Sequence, residues 1–144
     1  MIEKYDLWFK ELKDFINANS EYNTRVVKYN TNTSTHFPIV SFVMSNYINT
    51  KDCTLDKIEY YDNLYFTIDI YTKDIIKNGT TISSQIVNEE LMKLIIEFFN
   101  KKNMLRTSCR PNFNIDESIL RTTIQYQCGI GSARGNIIRR WLNV

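Results

Sequence analysis

The chain has 144 residues, a length that suits one ordinary domain and is short for two. Hydrophobic residues make up 43% and aromatic residues 13%, with only four glycines and two prolines, so the composition excludes a disordered, linker-like or fibrous protein. The formal net charge of +2 gives no electrostatic reason to expect a specific nucleic acid as partner. The N-terminal residues lack the pattern of a secretion signal, so we expect a chain that folds in the cytoplasm. The most apolar stretch, residues 91–99, is interrupted by charged residues, so we expect no membrane segment.

The first predicted element is an N-terminal helix. Apolar residues recur there every three or four positions while charged residues occupy the other side, as in a helix that packs one face on a core. The apolar stripe consists of Tyr5, Trp8, Phe9, Leu12, Phe15 and Ile16. Polar, turn-prone residues 17–23 are expected to end this helix.

Three strands are predicted next. Runs 25–29 and 39–44 are strand-like, and the polar residues 30–36 between them suit a hairpin loop. Residues 45–63 are polar with scattered aromatics and no clean period, so we expect a connection there. Residues 64–71 alternate strictly between apolar and polar, which predicts a strand in a sheet with one buried and one polar face.

A second helix and two more strands complete the predicted domain. Asn78 and Gly79 indicate a turn, and Ser83 is a good N-cap for the helix. Its predicted apolar face consists of Ile86, Val87, Leu91, Leu94, Ile95, Phe98 and Phe99. With strands at 104–109 and 119–128, the order α-β-β-β-α-β-β predicts an α+β domain over residues 1–128. Two helices would pack on one face of a mostly antiparallel sheet of four to five strands.

The C-terminal residues differ in composition from the rest. Three of the four glycines fall between 129 and 135, and an apolar, basic segment follows them. We therefore predict that 129–144 is a flexible interaction tail that reaches a neighbouring subunit, with simple fraying as the alternative.

The residue types that carry catalysis are sparse. His36 is the only histidine and has no second metal ligand near it in sequence, so a solvent-facing loop residue is expected. The three cysteines, Cys53, Cys109 and Cys128, form no C-x-x-C pair, and buried reduced thiols are expected.

Two further patterns could suggest an enzyme. Asp69 with Lys73 invites a nuclease interpretation, but such sites need two or more converging carboxylates. The glycines after 128 resemble a dinucleotide loop, but too few residues follow for the helix and the acidic residue that such a site requires. We therefore predict no catalytic residue, no cofactor and no metal.

Several sequence strings resemble those of a known family. They are residues 64–74, the helix start at 82–84, residues 106–111, and residues 118–126. These strings and the order of elements, between about residues 8 and 126, resemble the tail-terminator (minor capsid) proteins of long-tailed bacteriophages.

The resemblance implies a structural virion protein of the tail or neck, assembled in the host bacterial cytoplasm. It implies a homo-oligomeric, hexameric ring on the tail tube that stops growth of the tube, and of the sheath in contractile tails. Its partners would be the tube protein, the sheath protein and the head–tail connector proteins. The segments 45–63 and 129–144 are then the predicted sources of subunit contacts, with these residues as the predicted interface: Tyr47, Tyr60, Tyr61, Ile137, Ile138, Arg139, Arg140 and Trp141.

Other functions remain open at this point. A head–tail connector or neck subunit is the nearest alternative, since sequence hardly separates it from a terminator. A small host-binding adaptor would show one exposed apolar patch, and a mobile-element nuclease would show converging carboxylates in a cleft.

Overall fold

The computed structural model describes residues 2–28, 36–53, 58–113, 118–131 and 137–139. Within these ranges the elements in chain order are α1 Ile2–Asn19, β1 Arg25–Val27, β2 Ile39–Cys53, β3 Ile58–Thr72, β4 Ile75–Lys77, β5 Thr80–Ile82, α2 Ser84–Lys101, β6 Leu105–Phe113, β7 Leu120–Gly131 and β8 Ile137–Arg139. The main sheet has the strand order β1-β2-β3-β7-β6, with β8 paired to β7, and β4 and β5 form a separate two-stranded sheet.

The main sheet is mostly antiparallel. β2, β3, β7 and β6 pair antiparallel with their neighbours, and β8 pairs antiparallel with β7. The predicted α+β class and order of elements are thereby confirmed. The predicted hairpin between β1 and β2 is wrong, because these strands pair in parallel with Arg25 opposite Ile39. A polar stretch predicts that a loop exists but does not determine the direction in which the chain returns. Residues 29–35 lie outside the described part.

One face of the main sheet carries the hydrophobic core. Phe42, Ile68 and Ile124 lie opposite one another on β2, β3 and β7, and all three are fully buried. Phe99 of α2 stacks on Tyr126 of the same face, with 4.5 Å between the ring centroids. Burying a side chain of this size stabilises a fold by roughly 1.5–3 kcal/mol, so this layer is the main source of stability.

Both helices cover this same face. Trp8 of α1 contacts Phe66 edge-on at 5.7 Å between ring centroids, and Phe99 of α2 contacts Phe42 at 5.4 Å. The predicted stripe of α1 is confirmed, since its residues are either buried or packed against the core. The arrangement of two helices on one face is therefore as the sequence predicts.

The start of α2 is fixed by two side chains. The Ser83 hydroxyl accepts a hydrogen bond from the Ile86 amide at 3.4 Å, as the N-cap prediction requires. Asp74 accepts a second one from the Ser84 amide at 2.7 Å. The prediction that Ile86 faces the core is wrong, because it is half exposed. Ile86 and the exposed Glu90 are four positions apart and therefore lie on the same side of α2, whereas the buried Val87 lies on the side that faces the sheet.

The predicted connection 45–63 is wrong over most of its length. β2 continues to Cys53 and β3 begins at Ile58, with a register shift between Met44 and Asn46. We call the paired backbone of residues 46–53 and 58–63 the arm. Backbone hydrogen bonds form a ladder whether or not apolar residues alternate, so a polar strand pair leaves no period-2 signal in the sequence.

The predicted domain boundary after Cys128 falls inside β7. Gly129 lies opposite Asn63 and Gly131 opposite Tyr61, and β8 then adds to the edge of β7. Glycine weakens a strand without preventing its backbone from pairing, so a glycine-rich sequence does not by itself end a sheet.

Neither helix in the described part is long and apolar enough to cross a membrane.

Candidate functional site

Within the residues that the structure describes, neither helix packs on the second face of the main sheet. Because side chains alternate along a strand, the neighbours of Phe42, Ile68 and Ile124 share this second face, which we call the helix-free face. Its described side chains include Arg25, Val27, Ile39, Ser41, Val43, Tyr65, Thr67, Asp69, Tyr71, Ser108, Arg110, Arg121, Thr123, Gln125 and Gln127.

A charged cluster lies near the centre of the helix-free face. Asp69 Oδ1 accepts a hydrogen bond from the Thr123 hydroxyl at 2.5 Å and another from Arg121 Nε at 3.2 Å. The Arg121 guanidinium also lies 5.4 Å from the centre of the Tyr71 ring. The bond to the Asp69 carboxylate raises the pKa of Arg121 above its ordinary value. These contacts hold the guanidinium in one orientation, with one third of the side chain exposed.

This cluster opposes the nuclease interpretation of Asp69. The Asp69 side chain is 11% exposed, and the guanidinium beside it places a positive charge where a catalytic cation would have to bind. Within the described residues no group of three or more His, Cys, Asp or Glu is arranged to hold a metal ion.

Cys109 and Cys128 lie on the other face of the sheet from this cluster, and His36 lies outside the strands. His36 is exposed and its Nε2 lies 2.8 Å from the Asn23 carbonyl oxygen. Cys128 is buried as predicted, and burial raises the pKa of its thiol to about 12. The prediction of burial is wrong for Cys109, which is exposed with Sγ 3.6 Å from Met92 Sδ. Cys109 lies opposite Ile124 of β7. The side chain of Cys53 lies outside the described part.

The predicted interface residues fall largely at one end of the main sheet. In the backbone register Tyr47 lies opposite Leu64, and Tyr60 and Tyr61 lie within the arm. The next strand brings Gly131 opposite Tyr61, and β8, which contains Ile137, Ile138 and Arg139, pairs with the adjoining end of β7. Arg140 and Trp141 lie outside the described residues. The arm and β8 thus bring together two segments that are about 75 positions apart in sequence.

The sheet has two open edges in the described part of the chain. β1 pairs with β2 only from Ile39 to Ser41, so the outer edge of β2 has no partner strand from Phe42 to Cys53. On the other side, β6 pairs with β7 alone. An open edge presents unpaired N–H and C=O groups that can bind a strand of another chain. Sequence analysis missed these edges, because the arm gives no strand signal in the sequence.

The β6 edge carries features that limit indiscriminate pairing. It includes Pro111, the exposed Arg106 and Arg110, and a register shift between Arg106 and Ser108.

In comparisons with known proteins, no family model matches the chain and no curated protein matches it. The candidate site is therefore defined by geometry alone: two open edges that flank the helix-free face of one sheet.

Proposed function

We propose that this chain is a structural subunit that assembles head to tail into a ring. The observation that supports the proposal is the pair of open edges, β2 on one side of the sheet and β6 on the other. They are different surfaces, and contact between different surfaces of identical subunits is heterologous. Such a contact closes into a ring when the rotation between subunits allows it.

The strand directions are compatible with this contact. β2 and β7 run in one direction, and β3 and β6 run in the other, because each adjacent pair is antiparallel. If β6 of one copy lies beside β2 of the next copy, the antiparallel alternation continues across the contact. Antiparallel ladders have the stronger hydrogen-bond geometry of the two sheet types, so edge pairing favours this orientation of neighbours.

We further propose that the ring is a bacteriophage tail terminator of the virion tail or neck, a hexamer that ends the tail tube. Three of the strings that resemble the terminator family lie on or overlap β3, β6 and β7, the strands between the two open edges. In this proposal one side of the ring binds the tube protein, and the sheath protein if the tail contracts. The other side receives the head–tail connector proteins.

A connector or neck subunit is the second candidate, because it would use the same two edges to form its ring. The adaptor alternative receives less support. The exposed large apolar side chains in the described part, Leu7, Ile76 and Ile86, lie on three different elements, whereas an adaptor calls for one patch.

A tube-growth assay separates the terminator from the connector. The purified chain is added to a polymerising phage tail-tube protein, and tube lengths are measured by negative-stain electron microscopy. A terminator caps tube ends and reduces the length in proportion to its concentration. Rings that leave tube length unchanged would favour the connector, and monomers that leave it unchanged would contradict both proposals.

A further inference from the structure

The outer edge of β2 is covered where it begins. β1 pairs with this edge as far as Ser41, and the Arg25 amide donates a hydrogen bond to the Pro38 carbonyl oxygen on the same side at 3.0 Å. Because backbone carbonyls alternate in direction along a strand, the Phe42 carbonyl also points to this side. It lies just beyond β1 and accepts a hydrogen bond from the Tyr5 hydroxyl at 2.5 Å. Helix α1 therefore occupies the first backbone acceptor that β1 leaves open.

A lysine that follows β1 reinforces this cover. Lys28 forms an ion pair with Asp6 of α1. Its ammonium group also lies 5.2 Å from the centre of the Tyr5 ring and 5.3 Å from the centre of the Phe9 ring. Contacts of this kind between a cation and aromatic rings are attractive. They hold the start of α1 beside the end of β1, where a strand added to β2 at Phe42 would have to lie.

The regular part of the open edge begins farther along β2. The register shift between Met44 and Asn46 is an irregularity of the kind that twists an edge away from an incoming strand. From Asn46 to Cys53 the pairing with β3 continues without another shift. Within the described part of the chain, the segment of β2 best suited to accept another strand is therefore the outer strand of the arm.

The arm and β6 carry opposite net charges. The two strands of the arm contain Asp52, Glu59 and Asp62 and a single lysine, whereas β6 contains two arginines and no acidic residue. In the backbone register Asp52 lies directly opposite Glu59. Like charges at directly opposite positions destabilise a strand pair. A basic strand beside the arm would offset that repulsion.

The two arginines of β6 are available for such a contact. Arg106 and Arg110 are both exposed on this edge strand. Neither takes part in an ion pair among the residues that the structure describes. Complementary charges across a contact favour the correct partner and register over others.

We infer that β6 of one copy pairs with the outer strand of the arm of the next copy, and that Arg106 and Arg110 recognise the acidic residues there. The inference rests on the proposed head-to-tail contact and restricts it to one half of β2. A second copy of this chain is the occupant, because β6 supplies both an unpaired strand edge and the complementary charge. A strand without basic residues would supply only the first of these.

A charge-swap experiment tests the contact. The variant Arg106→Glu/Arg110→Glu makes β6 acidic, and the variant Asp52→Lys/Glu59→Lys makes the arm basic. Identical copies of either variant bring like charges together. We therefore expect neither to form rings in electron micrographs, with self-association weakened at least about tenfold in analytical ultracentrifugation.

Mixing the two variants should restore assembly. In an equimolar mixture the acidic β6 meets the basic arm, and the unchanged β6 meets the unchanged arm, so every contact between different variants joins opposite charges. We expect rings in which the two variants alternate. Circular dichroism verifies that each variant is folded before mixing.

A matched control separates this contact from net charge. Lys93→Glu/Lys101→Glu makes the same change of charge on exposed residues of α2 and should assemble as the wild type does. Loss of rings in this control, rings from either charge-swap variant alone, or no association in the mixture would overturn the inference. Wild-type rings in the same experiment would leave the proposed function standing. A wild-type chain that stays monomeric would contradict both, and open chains from the mixture would support the contact while contradicting ring closure.

Discussion

The hydroxyl of Thr122 donates a hydrogen bond of 2.6 Å to the side-chain oxygen of Asn88, and this bond joins α2 to the central strand β7. The Asn88 amide also donates to the Ile70 carbonyl oxygen and to the Thr72 hydroxyl, both at 3.4 Å. Asn88 is 3% exposed. A buried polar group without partners is costly, so these bonds favour one position of α2 over the sheet.

Removing this side chain tests its contribution. Asn88→Ala should lower the free energy of unfolding by about 1–3 kcal/mol, because it removes three hydrogen bonds and leaves Thr122 without its acceptor. Urea denaturation would measure the change. The exposed neighbour Glu89 provides the control, since Glu89→Ala should alter stability by less than about 0.5 kcal/mol. Equal effects of the two changes would contradict a specific role for Asn88.

The charged cluster on the helix-free face yields a second prediction. Arg121→Ala should destabilise the fold by about 1–3 kcal/mol, since it leaves the buried Asp69 carboxylate without its positive partner. The partial exposure of Arg121 keeps the effect below that of a fully buried pair. Arg110→Ala, on an exposed side chain of the same face, should cost less than about 0.5 kcal/mol. Thermal unfolding of both variants would measure the two changes in stability. Equal losses of stability in the two variants would contradict a specific role for the pair of Arg121 and Asp69.

Alkaline stability should depend on Tyr126. Burial raises the pKa of this phenol to about 12 from its ordinary value of 10.0. Below pH 10 the phenol is neutral in both states. Between pH 10 and 12 the unfolded chain loses the proton while the folded chain keeps it, so stability falls with rising pH. Tyr126 accounts for about 1.4 kcal/mol of that fall per pH unit.

Tyr126→Phe should therefore flatten the decline of stability above pH 10. At pH 7 the variant should be at least as stable as the wild type, because the Tyr126 hydroxyl is buried without a hydrogen-bond partner in the described part. Urea denaturation at several pH values would measure both effects. An unchanged alkaline slope would contradict the assignment.

The C-terminal residues are predicted to serve assembly more than folding. Deletion of residues 136–144 removes β8, which contributes two residue pairs beside β7. The shortened chain should remain folded by circular dichroism but should no longer form rings in electron micrographs. Deletion of 142–144 alone is the matched control and should preserve rings. Normal rings from the longer deletion would refute this role.

Sequence predicts the parts of this fold in which one face is buried. The alternation from Leu64 to Tyr71, the N-cap Ser83 and the stripe of α1 all lie where predicted, because burial imposes a period on the sequence. Strand pairs whose sequences lack such a period could not be predicted from the sequence. The arm is polar, and the parallel direction of β1 depends on tertiary contacts.

The candidate site was less predictable for a related reason. An open edge is a property of strand order, which no local pattern encodes. The pairing of Asp69 with Arg121 joins residues 52 positions apart in sequence, and it appears only when β3 and β7 lie side by side. The strict alternation of residues 64–71 did indicate that Asp69 lies on the polar face of its strand.

Assembly into a closed ring is the central claim, and electron microscopy of the purified chain tests it most directly. Class averages should show rings of uniform diameter with a central hole and sixfold symmetry, and the same rings should cap the ends of tubes when the tube protein is added. Particles that remain monomeric in both conditions, or open filaments of indefinite length, would contradict the claim.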